Sequence, residues 1–224
     1  MRHWPLTQLT LATPDLVLRI PDDDQLDELA QVAANGVHPP GAVRFPQSWA
    51  SGTPEETARN VVQNHWWARG DWSEDNWRLL LAVLHDGQVI GQQNLSARDF
   101  RITREARTGF WLGQRFQGHG FGTQMRAAAL HLAFASLGAE RVTSTAFADN
   151  TASRRVSQKF GYTPNGVRRL VVDQHLVEAH DSVLTAEQWR TQAQQPIIVQ
   201  GFDACRHMFC ALANPEPVDV VRHV

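Results

Sequence analysis

The stretch Trp111-Leu-Gly-Gln-Arg-Phe-Gln-Gly-His-Gly-Phe-Gly-Thr123 decides how this 224-residue chain is read. The apolar run Gly109 to Leu112 reads as the end of a strand. It gives way to a turn with alternating glycines at Gly118, Gly120 and Gly122. An Ala-rich apolar run from about Phe121 to Leu137 follows at helical spacing. A strand, a glycine turn and a helix start together form a place for an anion. The first N–H groups of a helix have no internal partner, the helix dipole is positive there, and glycine lets a ligand approach the backbone.

Composition sets bounds on the rest. A hydrophobic fraction of 42% and a charged fraction of 20% are ordinary for a globular chain. A net charge of −2 and a pI near 6.5 give no bulk attraction to nucleic acid or an anionic membrane. The two cysteines, Cys205 and Cys210, form no C-x-x-C pair, and no Cys/His cluster has zinc spacing, so no metal is expected. So few cysteines point to a disulfide-free, cytoplasmic protein. The N-terminus has no apolar run of signal-peptide type, and no window approaches the roughly 18 apolar residues of a membrane span.

Working outward toward the N-terminus, Leu16 to Ile20 reads as a strand, and Leu26, Leu29, Ala30 and Ala33 as the apolar face of a helix begun by Asp22-Asp23-Asp24. The segment from His38 to Thr53 is rich in Pro and Gly yet carries Val43, Phe45 and Trp49, which suits a loop folded back as a lid. Thr53-Pro54-Glu55-Glu56 opens a second helix that runs to about Arg69. Two strands, Trp77 to Leu84 and Val89 to Ser96, flank a hairpin turn marked by Asp86-Gly87.

Toward the C-terminus, Gly138 is a helix stop and Arg141 to Phe147 a strand. A helix capped by Asp149 or Asn150 runs to Gly161. Further strands are expected at Tyr162-Thr163, Leu170 to Val172 and Ser182 to Thr185, before a short helix opened by a capping box at Thr185. Residues 1–195 read as one domain and residues 196–224 as a C-terminal extension, packed on the domain or on a partner subunit.

The order of elements and three motifs resemble the GCN5-related N-acetyltransferase (GNAT) family. The first motif is Gln117-Gly-His-Gly-Phe-Gly122, similar to the family's Q/R-x-x-G-x-G/A loop. The second is Asn150-Thr-Ala-Ser153 with Val156, Lys159 and Phe160-Gly-Tyr162, similar to the branch that includes ribosomal-protein N-terminal acetyltransferases. The third is Leu184-Thr185 with Trp189, which resembles that branch's closing segment. The chain also resembles actinobacterial members that share the start His3-Trp4-Pro5-Leu6 and a segment like Val199-Gln-Gly-Phe-Asp203, some of which use succinyl-CoA.

The resemblance implies an α/β fold with a mixed, mostly antiparallel sheet of about six or seven strands flanked by helices. It implies acetyl-CoA or succinyl-CoA as co-substrate, direct transfer to an amine of a protein or small molecule, and a homodimer. The pyrophosphate would lie on Gln117, Gly118, His119, Gly120, Phe121, Gly122 and Thr123. The pantetheine arm would pair along Phe110, Trp111 and Leu112, with the Leu112 N–H facing the thioester oxygen. Asn150, Ser153 and Lys159 would complete the cofactor site, with Ser153 acting near the sulfur. Ser157 stands where many family members have a tyrosine acid, so an acyl-CoA sensor without catalysis is the competing reading.

A base for the amine is sought among His38, His85, Asp86, Asp99 and Glu105, with Glu105 preferred and solvent as the alternative. Cations for a carboxylated acyl chain are sought among Arg44, Arg101, Arg104 and Arg107. The five tryptophans Trp49, Trp66, Trp67, Trp72 and Trp77 suit either core packing or an acceptor-pocket wall.

Overall fold

A computed structural model describes residues 1–38, 49–172, 174–193 and 195–210. One nine-stranded sheet runs through the molecule in the order β7-β8-β6-β5-β4-β3-β2-β1-β9. In chain order the strands are β1 (Thr10–Ala12), β2 (Val17–Arg19), β3 (Asn76–His85), β4 (Gln88–Arg98), β5 (Glu105–Leu112), β6 (Arg141–Phe147), β7 (Thr163–Val172), β8 (His175–Thr185) and β9 (Ile198–Gln200). Every pairing is antiparallel except β5 with β6.

The sheet therefore has more strands than the six or seven expected. Thr10–Ala12 is too short to signal itself in sequence, and the tail strand β9 joins the same sheet by pairing with β1. Residues 163–172 form one long strand rather than two short ones.

Alternation along β3 sorts the core into two layers. Trp77, Leu79, Leu81 and Val83 face one apolar cluster, which also holds Met125, Ala128 and Leu132 and the tail residues Phe202 and Phe209. Ala82 and Leu84 face a second cluster with Leu26, Leu29, Val61 and Trp111. Helices α1 (Asp23–Ala34) and α2 (Pro54–Gly70) thus cover one face, and α4 (Phe121–His131) the other. Both α1 and α2 begin with a complete capping box, from Asp22 to Gln25 and from Thr53 to Glu56. The short helix α3 (Phe100–Thr103) lies in the connection between β4 and β5. The helix after the glycine turn is α-helical only to His131. Leu132–Ser136 is a π-helical segment, and Gly138 follows with φ of 69°. Arg104 closes that end, donating to the carbonyls of Leu137 (2.6 Å) and Gly138 (2.7 Å). Helices α5 (Thr151–Lys159), α6 (Ala186–Arg190) and α7 (Phe202–Cys205) complete the set.

Candidate functional site

The site begins where the one parallel pair comes apart. Strands β5 and β6 are in register from Glu105 with Arg141 to Thr108 with Ser144, and no further. Beyond that vertex β6 stays on β8 and β5 stays on β4, so the sheet opens into a V. Gly113 N–H donates to Ile90 O on β4 (3.0 Å). Backbone N–H groups alternate between the two edges of a strand, so those of Leu112 and Phe110 face the open side. An extended polar chain laid there finds a strand edge to pair with.

The glycine turn lies at the mouth of the V. Gly118 and Gly120 have φ of 85° and 87°, a region side chains strain to enter, while a Cβ on either would meet nothing. Gly122 is small for a different reason, since a Cβ there would press on the Phe110 ring at 3.2 Å. Gln117 Nε2 donates to Val37 O (2.8 Å) and Leu112 O (3.0 Å), which ties the turn to the strand end. The N–H groups of Gly118, His119, Gly120, Phe121 and Gly122 have no partner among the described residues, whereas Thr123 N–H already donates to Gly120 O (3.0 Å). With the dipole of the eleven-residue α4 behind them, these groups form an anion cradle.

Inside the V lies a cleft of about 900 Å³. From β5 it takes Arg107, Thr108, Gly109, Phe110 and Trp111, and from the start of α5 it takes Asn150 and Ser153. Asn150 Oδ1 accepts from Ser153 N–H (3.2 Å), so one motif both caps α5 and holds two polar side chains at the cleft. On the opposite side α2 supplies Asn60, Asn64 and Trp67, and β4 supplies Gln92, Asn94 and Ser96. Arg107 bridges the vertex, donating to Thr145 Oγ1 (2.7 Å). Thr145 donates in turn to Asp181, which is ion-paired with Arg168 on β7. The hydrogen bond from Arg168, opposed by burial and aided by that from Thr145, holds the Asp181 carboxyl below the usual carboxylate range.

Comparison with known proteins agrees with this geometry. The sequence model of the family described as "Acetyltransferase (GNAT) domain" matches residues 15–163. The chain belongs to the GNAT family. A curated relative, the "Putative ribosomal N-acetyltransferase YdaF" of Bacillus subtilis (strain 168), is 31% identical over 87 residues, which is 39% of this chain. The match spans about half (47%) of that relative's length. Among solved structures, Mycobacterium smegmatis RimJ in complex with CoA-disulfide matches with a TM-score of 0.64 at 19% identity, over 84% of this chain and 92% of that one. A GCN5-related N-acetyltransferase from Brucella melitensis matches with a TM-score of 0.62 at 22% identity, over 80% of each chain. At such identity these two structures speak to the fold. Among the described residues no helix is long and apolar enough to cross a membrane.

Within this GNAT fold the expected site residues divide. Phe110, Trp111, Asn150 and Ser153 meet in the cleft; Leu112 and Gln117–Thr123 stand at its mouth. Lys159 does not join them. It is exposed at the far end of α5, about 12 Å along the helix from Thr151. Glu105 is also apart. It starts β5 at the closed end of the V and pairs with Arg141 (3.5 Å), too far below the open edge to take a proton there. His85 ends β3 and Asp86 opens the turn to β4, with the His85 ring against Phe121, and Asp99 immediately precedes α3. None of these five base candidates, His38 included, is among the cleft-lining residues, and the described lining contains no carboxylate or imidazole. Of the expected cations, Arg107 reaches the cleft, Arg101 pairs with Asp75 and Arg104 closes the π-helical segment after α4, while Arg44, Val43 and Phe45 lie outside the described residues.

Two features escaped sequence reasoning. His65 on α2 is almost wholly buried, and its Nε2 lies 2.7 Å from Gln92 Oε1. Gln92 Nε2 donates to Asn94 Oδ1 (2.6 Å), which orients the amide and makes His65 Nε2–H the donor. Burial, opposed by the Gln92 hydrogen bond, pushes the His65 pKa down to about 4, so the ring is neutral near pH 7. The signal was present: Gln92-Gln93-Asn94 breaks the apolar positions Val89, Ile90 and Leu95 of β4. The other feature is Arg126, a lone cation on the buried face of an Ala-rich helix.

Proposed function

We propose that this protein is an acyl-CoA-dependent N-acyltransferase using acetyl-CoA or succinyl-CoA. The observation that carries the reading is the unpaired edge of β5 from Gly109 to Leu112, continuous with the unpartnered N–H groups of the glycine turn. A pyrophosphate and its extended amide arm match those two features in order. Backbone N–H groups of the turn hold the pyrophosphate. Leu112 N–H donates to the thioester oxygen and stabilises the negative charge it gains when the amine nitrogen attacks the carbonyl carbon. The C–S bond then breaks, and Ser153 stands beside the departing sulfur with Asn150 holding the start of α5 in place. The amine enters past Asn60, Asn64, Trp67 and Asn94 and loses its proton to solvent, since no lining side chain among the described residues is a base.

The acceptor is a protein N-terminus, a lysine or a small amine; the relatives named as ribosomal N-acetyltransferases favour a protein N-terminus. We place the enzyme in the cytoplasm as a homodimer, with residues 1–195 as the acyltransferase domain. The exposed Val167, Val171 and Leu176 on the edge hairpin β7–β8 favour association of two copies. A monomeric mass in solution would remove the dimer.

Free-thiol release from acetyl-CoA and succinyl-CoA over a panel of N-terminal peptides, lysine peptides and small amines tests the activity. Amine-dependent release is the expected result. The second reading, a non-catalytic acyl-CoA sensor, is favoured by the lack of a base among the described lining residues and by the buried Ser157 at the tyrosine position. It predicts tight acyl-CoA binding without turnover on any amine.

A further inference from the structure

Resting on the acyl-CoA reading, the structure assigns Arg126 as the binding site for a carboxylate at the far end of the donor's acyl chain. Arg126 lies in the second turn of α4 and lines the cleft, yet it is 1% exposed. Its Nε and Nη1 are buried with no hydrogen-bond partner. It also has no ion pair among the described residues. Its guanidinium lies against the rings of Phe110 (5.0 Å) and Tyr162 (5.5 Å). Ring faces recover only part of what a buried cation loses on leaving water, and they satisfy none of its N–H donors. Arginine cannot shed its proton to escape that cost. A buried, charged, unpartnered donor set beside a cavity is what an absent anion leaves behind.

The position narrows which anion. Gly122, in the cradle, and Arg126, one turn further along α4, touch the same Phe110 ring. Phe110 belongs to the open half of β5, so a chain running back from the cradle along that edge passes over Arg126. The other lining arginines are engaged, Arg107 with Thr145 and Arg168 with Asp181. The described lining offers no carboxylate that would answer Arg126 from within the protein. A planar guanidinium accepts a carboxylate through two parallel hydrogen bonds, which a neutral acyl terminus cannot make.

The test is calorimetric titration of the full chain with CoA, acetyl-CoA, butyryl-CoA and succinyl-CoA, repeated with Arg126→Gln and Arg126→Met. Succinyl-CoA is expected to bind the unaltered protein at least about tenfold more tightly than butyryl-CoA, its neutral counterpart of similar length. Both substitutions should erase that ratio and leave CoA and acetyl-CoA binding within about twofold. Equal affinity for succinyl-CoA and butyryl-CoA in the unaltered protein overturns the assignment, even if neither variant folds. A loss shared by CoA, acetyl-CoA and succinyl-CoA in the variants also overturns it, placing Arg126 on the pantetheine arm or phosphates instead. Failure to bind any CoA ester would break the acyl-CoA reading itself.

Discussion

Two groups of tryptophans, close in sequence, end in opposite roles. Trp77 is 2% exposed and packs on Trp72, Phe100 and Phe209 with ring centroids at 6.0, 5.5 and 5.1 Å. Trp72 Nε1 donates to Met208 O (3.0 Å), so this group fastens the C-terminal segment to the sheet. Trp67, ten residues before Trp77, is 63% exposed, carries the Arg78 guanidinium over its ring at 4.1 Å and lines the cleft. Trp49 packs on Trp111 at 5.5 Å in the same wall. The residue type is shared and the chemistry is not. Aromatics that meet other aromatics on all sides hold the fold together, while aromatics that meet a cavity on one side shape what enters it.

The largest expected effect lies in the packed group. Trp77→Ala should lose about 4 kcal/mol of stability in denaturant titration, from lost burial and the cavity left behind, while whatever remains folded binds acetyl-CoA unchanged. A matching loss for Trp67→Ala would break the comparison.

The next effect tests His65, which sits between the two groups beside Trp72 and Arg78. Its folded pKa, near 4, lies below its ordinary value of 6.5 because burial disfavours the charged ring. The unfolded chain therefore takes up a proton first as pH falls. Stability is intact above about pH 6.5 and declines toward pH 4, by up to about 3 kcal/mol. Denaturation midpoints across that range check it, and a flat profile that His65→Gln leaves unchanged would contradict it.

On the cleft side, Gly120→Ala forces a side chain into a φ of 87°. It should cost about 1 kcal/mol of stability and weaken CoA binding about tenfold, measured by titration calorimetry. The smallest effect is that of Trp67→Ala. Stability should fall by less than about 1 kcal/mol, the worth of an exposed cation–π contact, while the KM for the acceptor amine rises severalfold and acyl-CoA affinity holds. Unchanged acceptor kinetics would move Trp67 out of the wall.

Much of this was legible in the chain itself. Thr53 and Thr185 cap helices as their sequence indicated, Asp22 in the expected acidic first turn completes a capping box as well, and Asp86-Gly87 turns the hairpin. The Asn150 and Ser153 pair was legible because capping and cleft lining fall on the same two residues. Glu105 was misread because nearness in sequence to the open strand is not nearness in space. A strand advances about 3.3 Å per residue, so four positions carry Glu105 from Gly109 to the closed end of the V. Arg126 was passed over because an isolated polar residue in an apolar helix has no periodic signature, and His65 because it is one of many polar residues on α2; only their neighbours give them a role.

The sequence by itself determined the local chemistry of the glycine turn. Left-handed backbone at Gly118 and Gly120, and a helix start with spare N–H groups, follow from residues adjacent in the chain. Tertiary structure alone decided where β5 and β6 part, which arginines are neutralised and which one is left buried without a partner. Those outcomes depend on pairings between residues 13 to 38 positions apart in the chain. They are settled when the sheet closes around its core, and no window of sequence contains them.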